Sequence, residues 1–271
     1  MTREAQVELL TEASTRLRLA KLADPGRDAW RLWEHAVASG AECADATATL
    51  FWQAIEQRCR HVPIAYITGQ RSFYGLEILT SPDVLIPRPD SEVIVDLGCR
   101  LAVRTVLDLG TGSGCLLLAI LARCPGLQGT GVDICPRAIA VARQNAQRLN
   151  LADRCHFFVS DWLASDRLGC YDLILSNPPY IRPEDHRSLS REVREHEPRH
   201  ALTFGSNGTE AYERIASRAT NHLQPGGWLL LELGNGQFRT VRKILQTHGY
   251  DIRMIERDLD DRIRALAAQA S

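Results

Sequence analysis

No two of the eight cysteines in this chain, at positions 43, 59, 99, 115, 124, 135, 155 and 170, stand at Cys-x-x-Cys spacing. That absence removes the usual signatures of a zinc ribbon or a dithiol redox centre. Most of these thiols fall in apolar or helical runs and read as reduced core residues of a cytoplasmic protein. An excess of charge of one sign is also lacking. The net charge is −1, with nine Lys/Arg and ten Asp/Glu in residues 1–80 and twenty-three of each in the remainder. Neither part carries the basic footprint that a nucleic-acid backbone demands. The opening Met-Thr-Arg-Glu-Ala-Gln has no apolar core and no stretch approaches the length of a membrane span, so neither a secretory leader nor a membrane anchor is expected. A glycine loop, Gly110-Thr111-Gly112-Ser113-Gly114, has no Lys-Ser or Lys-Thr after it, which argues against a triphosphate-binding P-loop. Its Gly-x-Gly-x-Gly spacing also differs from the Gly-x-Gly-x-x-Gly of dinucleotide folds.

What is present is an α/β chain in three parts, long enough for one full core and a smaller domain. Residues 1–62 form the first, with helical periodicity in three pieces from residue 3 to about 60. The second piece opens on Asp24 as N-cap with Pro25 at the first helical position, and the whole predicts a small helical bundle. Residues 63–89 switch to β-branched and aromatic residues around Gly69 and Gly75. They predict a β-hairpin ending in a hinge marked by Pro82, Pro87 and Pro89. Residues 90–271 alternate strand and helix: strand 104–109, helix Cys115–Arg123, then strands 128–132, Cys155–Val159, Tyr171–Ser176 and 228–233, with a closing pair at 252–256 and 263–266. Parallel crossovers are right-handed and gather ligand loops at the carboxyl ends of their strands. The glycine loop, Asp133, Asp161-Trp162 and Asn177 all fall there.

Asn177-Pro178-Pro179-Tyr180 follows directly on the apolar run Tyr171–Ser176. Two prolines in succession remove two backbone donors and stiffen the turn, so carbonyl oxygens and the Asn177 amide face outward. The natural guest of such a cup is a planar NH2 group. Its hydrogens go to the Asn177 side-chain oxygen and the Pro178 carbonyl, with the Tyr180 ring against its face. Alone, the run reads equally as a rigid strand-ending turn. Upstream, the glycine loop joins a strand to an apolar helix and permits close backbone approach to a ligand. Asp133, nineteen residues after Gly114, ends the next strand, where it can accept both ribose hydroxyls of an adenosine-containing ligand. Its other reading is the cap of a helix starting near Pro136.

This constellation resembles the S-adenosylmethionine-dependent methyltransferases that modify planar nitrogen atoms. Six further segments narrow it: Pro63-Ile-Ala-Tyr-Ile-Thr-Gly69, Phe73-Tyr-Gly-Leu-Glu77, Leu85-Ile-Pro-Arg-Pro-Asp-Ser-Glu92, Ser160-Asp-Trp162, Asn177-Pro-Pro-Tyr180 and Glu197-Pro-Arg-His-Ala-Leu202. In that order they resemble the bacterial release factor glutamine methyltransferases over nearly the whole chain, and residues 86–92 discriminate best. The segment Arg257-Asp-Leu-Asp-Asp-Arg262 follows that family loosely and lacks an expected glycine. The resemblance implies a Rossmann-like, seven-stranded methyltransferase domain preceded by a helical substrate-recognition domain and a β-hairpin linker. It implies S-adenosyl-L-methionine as cofactor and S-adenosyl-L-homocysteine as product, with Gly110, Thr111, Gly112, Ser113, Gly114, Asp133, Trp162 and Asn177 binding it. Asn177, Pro178, Pro179 and Tyr180 would form the catalytic cup, and residues 86–92 would close over the cofactor. The implied substrate is the glutamine of the Gly-Gly-Gln loop of peptide chain release factors, modified by a monomer that binds neither nucleic acid nor membrane.

Plainer readings stand beside these. Trp162 can be simple core, and Ser160 and Asp161 can simply end their strand. His196 and His200 stand four apart, as in helical metal sites, but Pro198 between them breaks the helix such a site requires, so no metal is expected. The charge run 191–199 reads as a solvated surface loop. Two rival functions remain: a base methyltransferase, since adenine and guanine present the same planar NH2, and a non-catalytic cofactor-binding module, which the intact 177–180 cup opposes.

Overall fold

The computed structural model describes residues 2–40 and 43–270. They divide into two units, one running to Gln70 and including Ser190–His196, the other holding Arg71–Leu189 and the chain from Glu197 onward.

The first unit contains α1 (Arg3–Leu19), α2 (Pro25–Ala38) and α3 (Ala44–Cys59), followed by the one-turn α4 (Ile64–Thr68). Thr2 Oγ1 caps α1 by accepting the Ala5 N–H at 3.3 Å, and Asp24 caps α2 through the Arg27 N–H at 3.3 Å. Pro25 costs nothing there because the first helical N–H has no partner in any helix. The three apolar faces meet at Leu17, Leu32, Phe51 and Ile55, with Trp33 edge-on to Phe51 at 5.6 Å. Beside this core lies a buried cation. Arg58 Nε donates to Asp28 at 2.7 Å, Nη2 to Glu192 at 2.6 Å and Nη1 to the Val62 carbonyl at 3.0 Å. Glu192 sits on the short helix Arg191–His196, which corrects the expectation of a solvated loop over 191–199. A buried guanidinium needs acceptors, and this charged segment supplies one.

The hairpin is shorter than the β-branched run predicted. Residues 64–68 are helical, and Gly69 closes that helix in the left-handed region rather than turning a hairpin. The strands are β1 (Gln70–Phe73) and β2 (Leu76–Leu79), joined at Tyr74 and Gly75, both of positive φ, as the tight turns of twisted hairpins require. The hairpin is built into the second unit. Leu79 exchanges two hydrogen bonds with the fully buried Asn145 side chain, at 2.7 and 3.1 Å, and the Tyr74 N–H donates to Glu92 at 2.9 Å.

The second unit continues with α5 (Glu92–Arg100), β3 (Thr105–Leu109), α6 (Cys115–Arg123), β4 (Gln128–Asp133), α7 (Pro136–Arg148), β5 (Cys155–Val159) and β6 (Tyr171–Ser176). Counting Arg191–His196 as α8, there follow α9 (Arg199–Leu202), α10 (Glu210–Ala219), β7 (Leu223–Glu232), α11 (Phe238–Thr247), β8 (Tyr250–Arg257) and β9 (Ile263–Ala270). Seven strands form one sheet in the order β5-β4-β3-β6-β7-β9-β8, parallel except for β9, which runs against both neighbours. Strand side chains alternate between two cores. Val106, Leu173, Leu175, Leu230 and Ala267 join α5, α6 and α7, whereas Leu107, Leu109, Ile174, Leu229, Leu231 and Leu266 join α10 and α11. Burial on both faces explains why the parallel strands read as unbroken apolar runs.

The last three strands exceed their expected bounds of 228–233, 252–256 and 263–266. In the closing turn, within the segment 257–262 that lacks the expected glycine, Asp261 takes the left-handed conformation, which aspartate tolerates better than most residues. Asp258 organises that turn by accepting the N–H groups of Asp260 and Arg262, each at 3.0 Å. Among the described residues no helix is long and apolar enough to cross a membrane.

Candidate active site

Strand order reverses between β3 and β6, so their carboxyl ends splay apart and leave a crevice. On one side, the N–H groups of Gly110 and Thr111 both donate to the Val132 carbonyl at 2.9 Å, which folds the glycine loop over the end of β4. Asp133 Oδ2 accepts the Gly112 N–H and Oδ1 the Cys135 N–H, each at 2.9 Å. The acid therefore bridges two loops, while the N-cap of α7 is Cys135, without a side-chain bond. Each carboxylate oxygen retains acceptor capacity after one such bond. A Cβ at Gly112 would meet nothing within 4 Å, at a φ of +55°, so only the absence of a side chain keeps this part of the cleft clear.

The adjoining wall is aromatic. Trp162 has a φ of +49°, and Ser160 Oγ donates to its carbonyl at 2.9 Å, which holds a bulky residue in a conformation it would otherwise leave. Phe204 packs edge-on to the Trp162 ring at 5.0 Å, and Arg214 lies over it at 5.2 Å while pairing with Asp161 at 2.5 Å. Ile134, directly after Asp133, leaves 58% of its surface exposed and lines the same cleft.

Opposite, Ser176 Oγ donates to the Leu109 carbonyl at 2.7 Å and pins the end of β6 to β3. Asn177 follows, its Nδ2 donating to Ser91 Oγ at 3.3 Å. The Tyr180 carbonyl accepts from Gln237 Nε2 at 3.1 Å, and the ring packs on the apolar core that contains Leu233. Burial pushes the Tyr180 phenol up to about 12, so it stays protonated near neutrality.

Of the residues singled out from the sequence, Gly110, Gly112, Asp133, Trp162, Asn177, Pro178 and Pro179 line one cleft. The others stand behind it. Thr111 turns its hydroxyl to buried Asp108 at 2.7 Å, Ser113 is buried, and a Cβ at Gly114 would press on Leu118 and Ala142 at 3.1 and 3.3 Å. The wall expected from residues 86–92 is formed instead by Asp83, Val84 and Leu85. The segment after them is gripped by Glu197, which accepts from Ile86 N–H at 3.3 Å and Arg88 Nη2 at 2.5 Å. His200, Ala201, Thr203 and Phe204 complete the lining; the first two belong to the 197–202 segment that carries the family resemblance, whereas no residue-type pattern marked Thr203 or Phe204. His200 is on α9, which starts after Pro198, whereas His196 ends α8. Among the described residues no three metal-ligating side chains cluster.

Two acids lie buried at strand ends near the cleft. Burial raises Asp108 to about 7 against the hydrogen bond from Thr111. It raises Glu232 to about 7 as well, opposed by the Ser91 hydroxyl and the Arg264 guanidinium. A glycine loop clear of side chains, a strand-end acid with spare acceptors and a flat aromatic wall fit an adenosine-bearing sulfonium cofactor.

Sheet order, reversed β9 and this crevice define an S-adenosylmethionine-dependent methyltransferase. A methyltransferase from Pyrococcus furiosus shares the fold, with a TM-score of 0.56 at 20% identity over 73% of this chain and 90% of that one. The Methyltransferase small domain family matches residues 89–206, and the PrmC N-terminal domain matches residues 8–69. A release factor glutamine methyltransferase of Cereibacter sphaeroides is 38% identical over 97% of both chains. One from Geobacter sulfurreducens is 42% identical over 72% of this chain and 69% of its own. The chain belongs to the release factor glutamine methyltransferase family.

Proposed function

We propose that the protein methylates the side-chain amide nitrogen of a glutamine in peptide chain release factors, at their Gly-Gly-Gln loop, using S-adenosyl-L-methionine and releasing S-adenosyl-L-homocysteine. The observation that carries this reading is the meeting of Gly112, Asp133 and Trp162 with Asn177 and Pro178 around one cleft. When bound, the cofactor supplies an activated methyl group on a sulfonium.

An amide nitrogen is a poor nucleophile because its lone pair is delocalised into the carbonyl. The chain's contribution is therefore chiefly orientation. Asn177 Oδ1 and the Pro178 carbonyl accept the two amide hydrogens and aim the nitrogen lone pair at the methyl group. The same acceptors stabilise positive charge building on nitrogen. The proton that must leave the methylated amide passes to one of these oxygens or to water, and no dedicated base is required. Gly110, Gly112, Asp133 and Trp162 hold the cofactor, Thr111, Ser113 and Gly114 shape the loop from behind, and Pro179 and Tyr180 stiffen the cup.

Glutamine is common to every protein, so selection needs contacts beyond the cup. We assign these to the helical unit, where Trp30 and Val37 on α2 are 47% and 54% exposed. The net charge of −1 favours a protein substrate over a nucleic acid. The unpaired cysteines suit a reducing compartment, and the reading keeps the enzyme a cytoplasmic monomer.

The test is incubation with labelled S-adenosylmethionine and, separately, release factor or nucleic acid, followed by mass spectrometry. A methyl on the glutamine side chain is expected. Label on nucleobases alone would overturn the reading.

A further inference from the structure

Pro178 and Pro179 have no backbone N–H, so the turn from Asn177 to Tyr180 cannot be tethered through donors at its centre. Its anchors lie at the two ends. Before it, Ser176 Oγ donates to the Leu109 carbonyl at 2.7 Å. Beyond it, one peptide plane is held on both edges: the Ile181 N–H donates to the Leu202 carbonyl at 3.0 Å, and the Tyr180 carbonyl accepts from Gln237 Nε2 at 3.1 Å.

Gln237 is occupied on every side. Nε2 gives its second hydrogen to the Gly208 carbonyl at 3.2 Å, while Oε1 accepts the Gly234 N–H at 3.1 Å and the Tyr212 hydroxyl at 3.2 Å. A carboxamide offers two hydrogens and two lone pairs, and all four are used here. Backbone groups fix its direction, because the Gly234 N–H can only donate and the Tyr180 and Gly208 carbonyls can only accept. A flipped amide would oppose like groups at all three. Two glycines make room for the tie. A Cβ at Gly234 would stand 2.5 Å from Gln237 Oε1 and 2.9 Å from the Tyr180 ring, and one at Gly208, where φ is +77°, would stand 2.6 Å from the Tyr180 oxygen. Gln237 is also the N-cap of α11, yet its side chain makes no capping bond. The helix end forgoes the cap that Ser, Thr, Asp or Asn would supply, and the amide goes to the turn instead. We propose that Gln237 is a positioning residue for methyl transfer, which fixes the Tyr180 carbonyl and thereby the direction of the Pro178 carbonyl and the Asn177 amide that receive the substrate nitrogen. It acts through the turn, since Asn177, Pro178 and Pro179 are the residues that line the cleft.

This assignment rests on the reading of the turn as the amide holder, and the experiment separates the two. Turnover on release factor, cofactor affinity by calorimetry and Tm are measured for Gln237→Met, Gln237→Glu, Gly208→Ala and Asn177→Ala. Gln237→Met keeps the length of the side chain and loses all four hydrogen bonds. It should lower kcat by about tenfold to hundredfold, as small misplacements of reacting groups do, with S-adenosylmethionine affinity changed less than about twofold. Gly208→Ala pushes on the same Tyr180 carbonyl and should give the same split. Gln237→Glu is isosteric and adds a readout in pH. Ionised, it faces two carbonyl oxygens with no hydrogen to give, and protonated it regains one donor, so its kcat relative to wild type should rise as pH falls from about 8 to about 5. Tyr212, the titratable group bonded to this position, stays protonated there because burial pushes its phenol up. A ratio that does not change with pH overturns the assignment, and it decides alone if the other variants fold poorly. Equal losses of kcat and cofactor affinity in Gln237→Met overturn it too, since the tie would then brace the whole cleft. If Asn177→Ala loses activity while Gln237→Met keeps it, only the tie is wrong. If Asn177→Ala keeps activity, the turn is not the amide holder and both readings fall.

Discussion

Glu197 and Arg88, 109 residues apart in the chain, form an ion pair of 2.5 Å whose carboxylate is buried and whose guanidinium reaches the surface. The second Glu197 oxygen takes the Ile86 N–H, so one acid fixes the segment after Leu85 and the segment before His200, both walls of the cleft. Removing one partner of a buried pair costs about 3–5 kcal/mol when the other is left dry, and roughly 2–3 here because Arg88 can hydrate. Glu197→Ala should lower Tm by about 4–12 °C and weaken cofactor binding. Calorimetric scans and titrations check this, and an unchanged Tm would sink it.

Asp133→Ala removes spare acceptors facing the cleft and the anchor of the Gly112 N–H. Hydrogen bonds to a charged group are worth about 1.5–3 kcal/mol, which is on the order of a tenfold to hundredfold loss in S-adenosylmethionine affinity. Isothermal titration reads it directly. Undiminished affinity would leave Asp133 as a brace between two loops.

Glu232, buried at the end of β7, gives Glu232→Gln a signature in stability. Burial raises the folded-state carboxyl from 4.5 to about 7, while the unfolded chain keeps the ordinary value. Between these values the folded protein binds a proton that the unfolded chain has released. The associated stability is fully present below about pH 4.5 and is lost as pH rises through about 7. Glutamine carries no such dependence. The variant should be more stable than the wild type at pH 8, by on the order of 3 kcal/mol, and the gap should close toward pH 5. Melting curves at both pH values decide it, and a gap independent of pH would refute the assignment of the raised acid.

Trp30→Ala addresses the helical unit. If Trp30 docks the release factor, KM should rise by roughly tenfold, a loss of about 1–2 kcal/mol, at unchanged kcat and Tm. An unaltered KM would remove Trp30 from the docking surface.

The doubly buried strands could be read from the sequence because each apolar run ends at a chemically distinctive residue: Leu109 before Gly110, Val132 before Asp133, Ser176 before Asn177. Caps such as Asp24 with Pro25 were legible for the same local reason. Helix α4 was hidden, since Ile64, Tyr66, Ile67 and Thr68 favour strands by propensity, and packing in the finished unit overrides them. The half-buried Glu192 and the buried Glu197 carry no local mark either. Each is explained by a partner made far away in the chain, as Ser91 is by Asn177, 86 residues on. Local pattern locates ligand loops, whereas the residues that orient them emerge only once the sheet has closed.

The discontinuous helical unit has a consequence for biosynthesis. Arg58 leaves the ribosome with Asp28 already made, but Glu192 follows 134 residues later. At about 5–20 residues per second that is a wait of roughly 7–27 s. The nascent bundle spends this interval without α8, with the Arg58 Nη2 that later meets Glu192 left to water. A gene fragment ending at Gln70 would be caught permanently in that state, so the smaller unit reaches its final form only after most of the larger one has been translated.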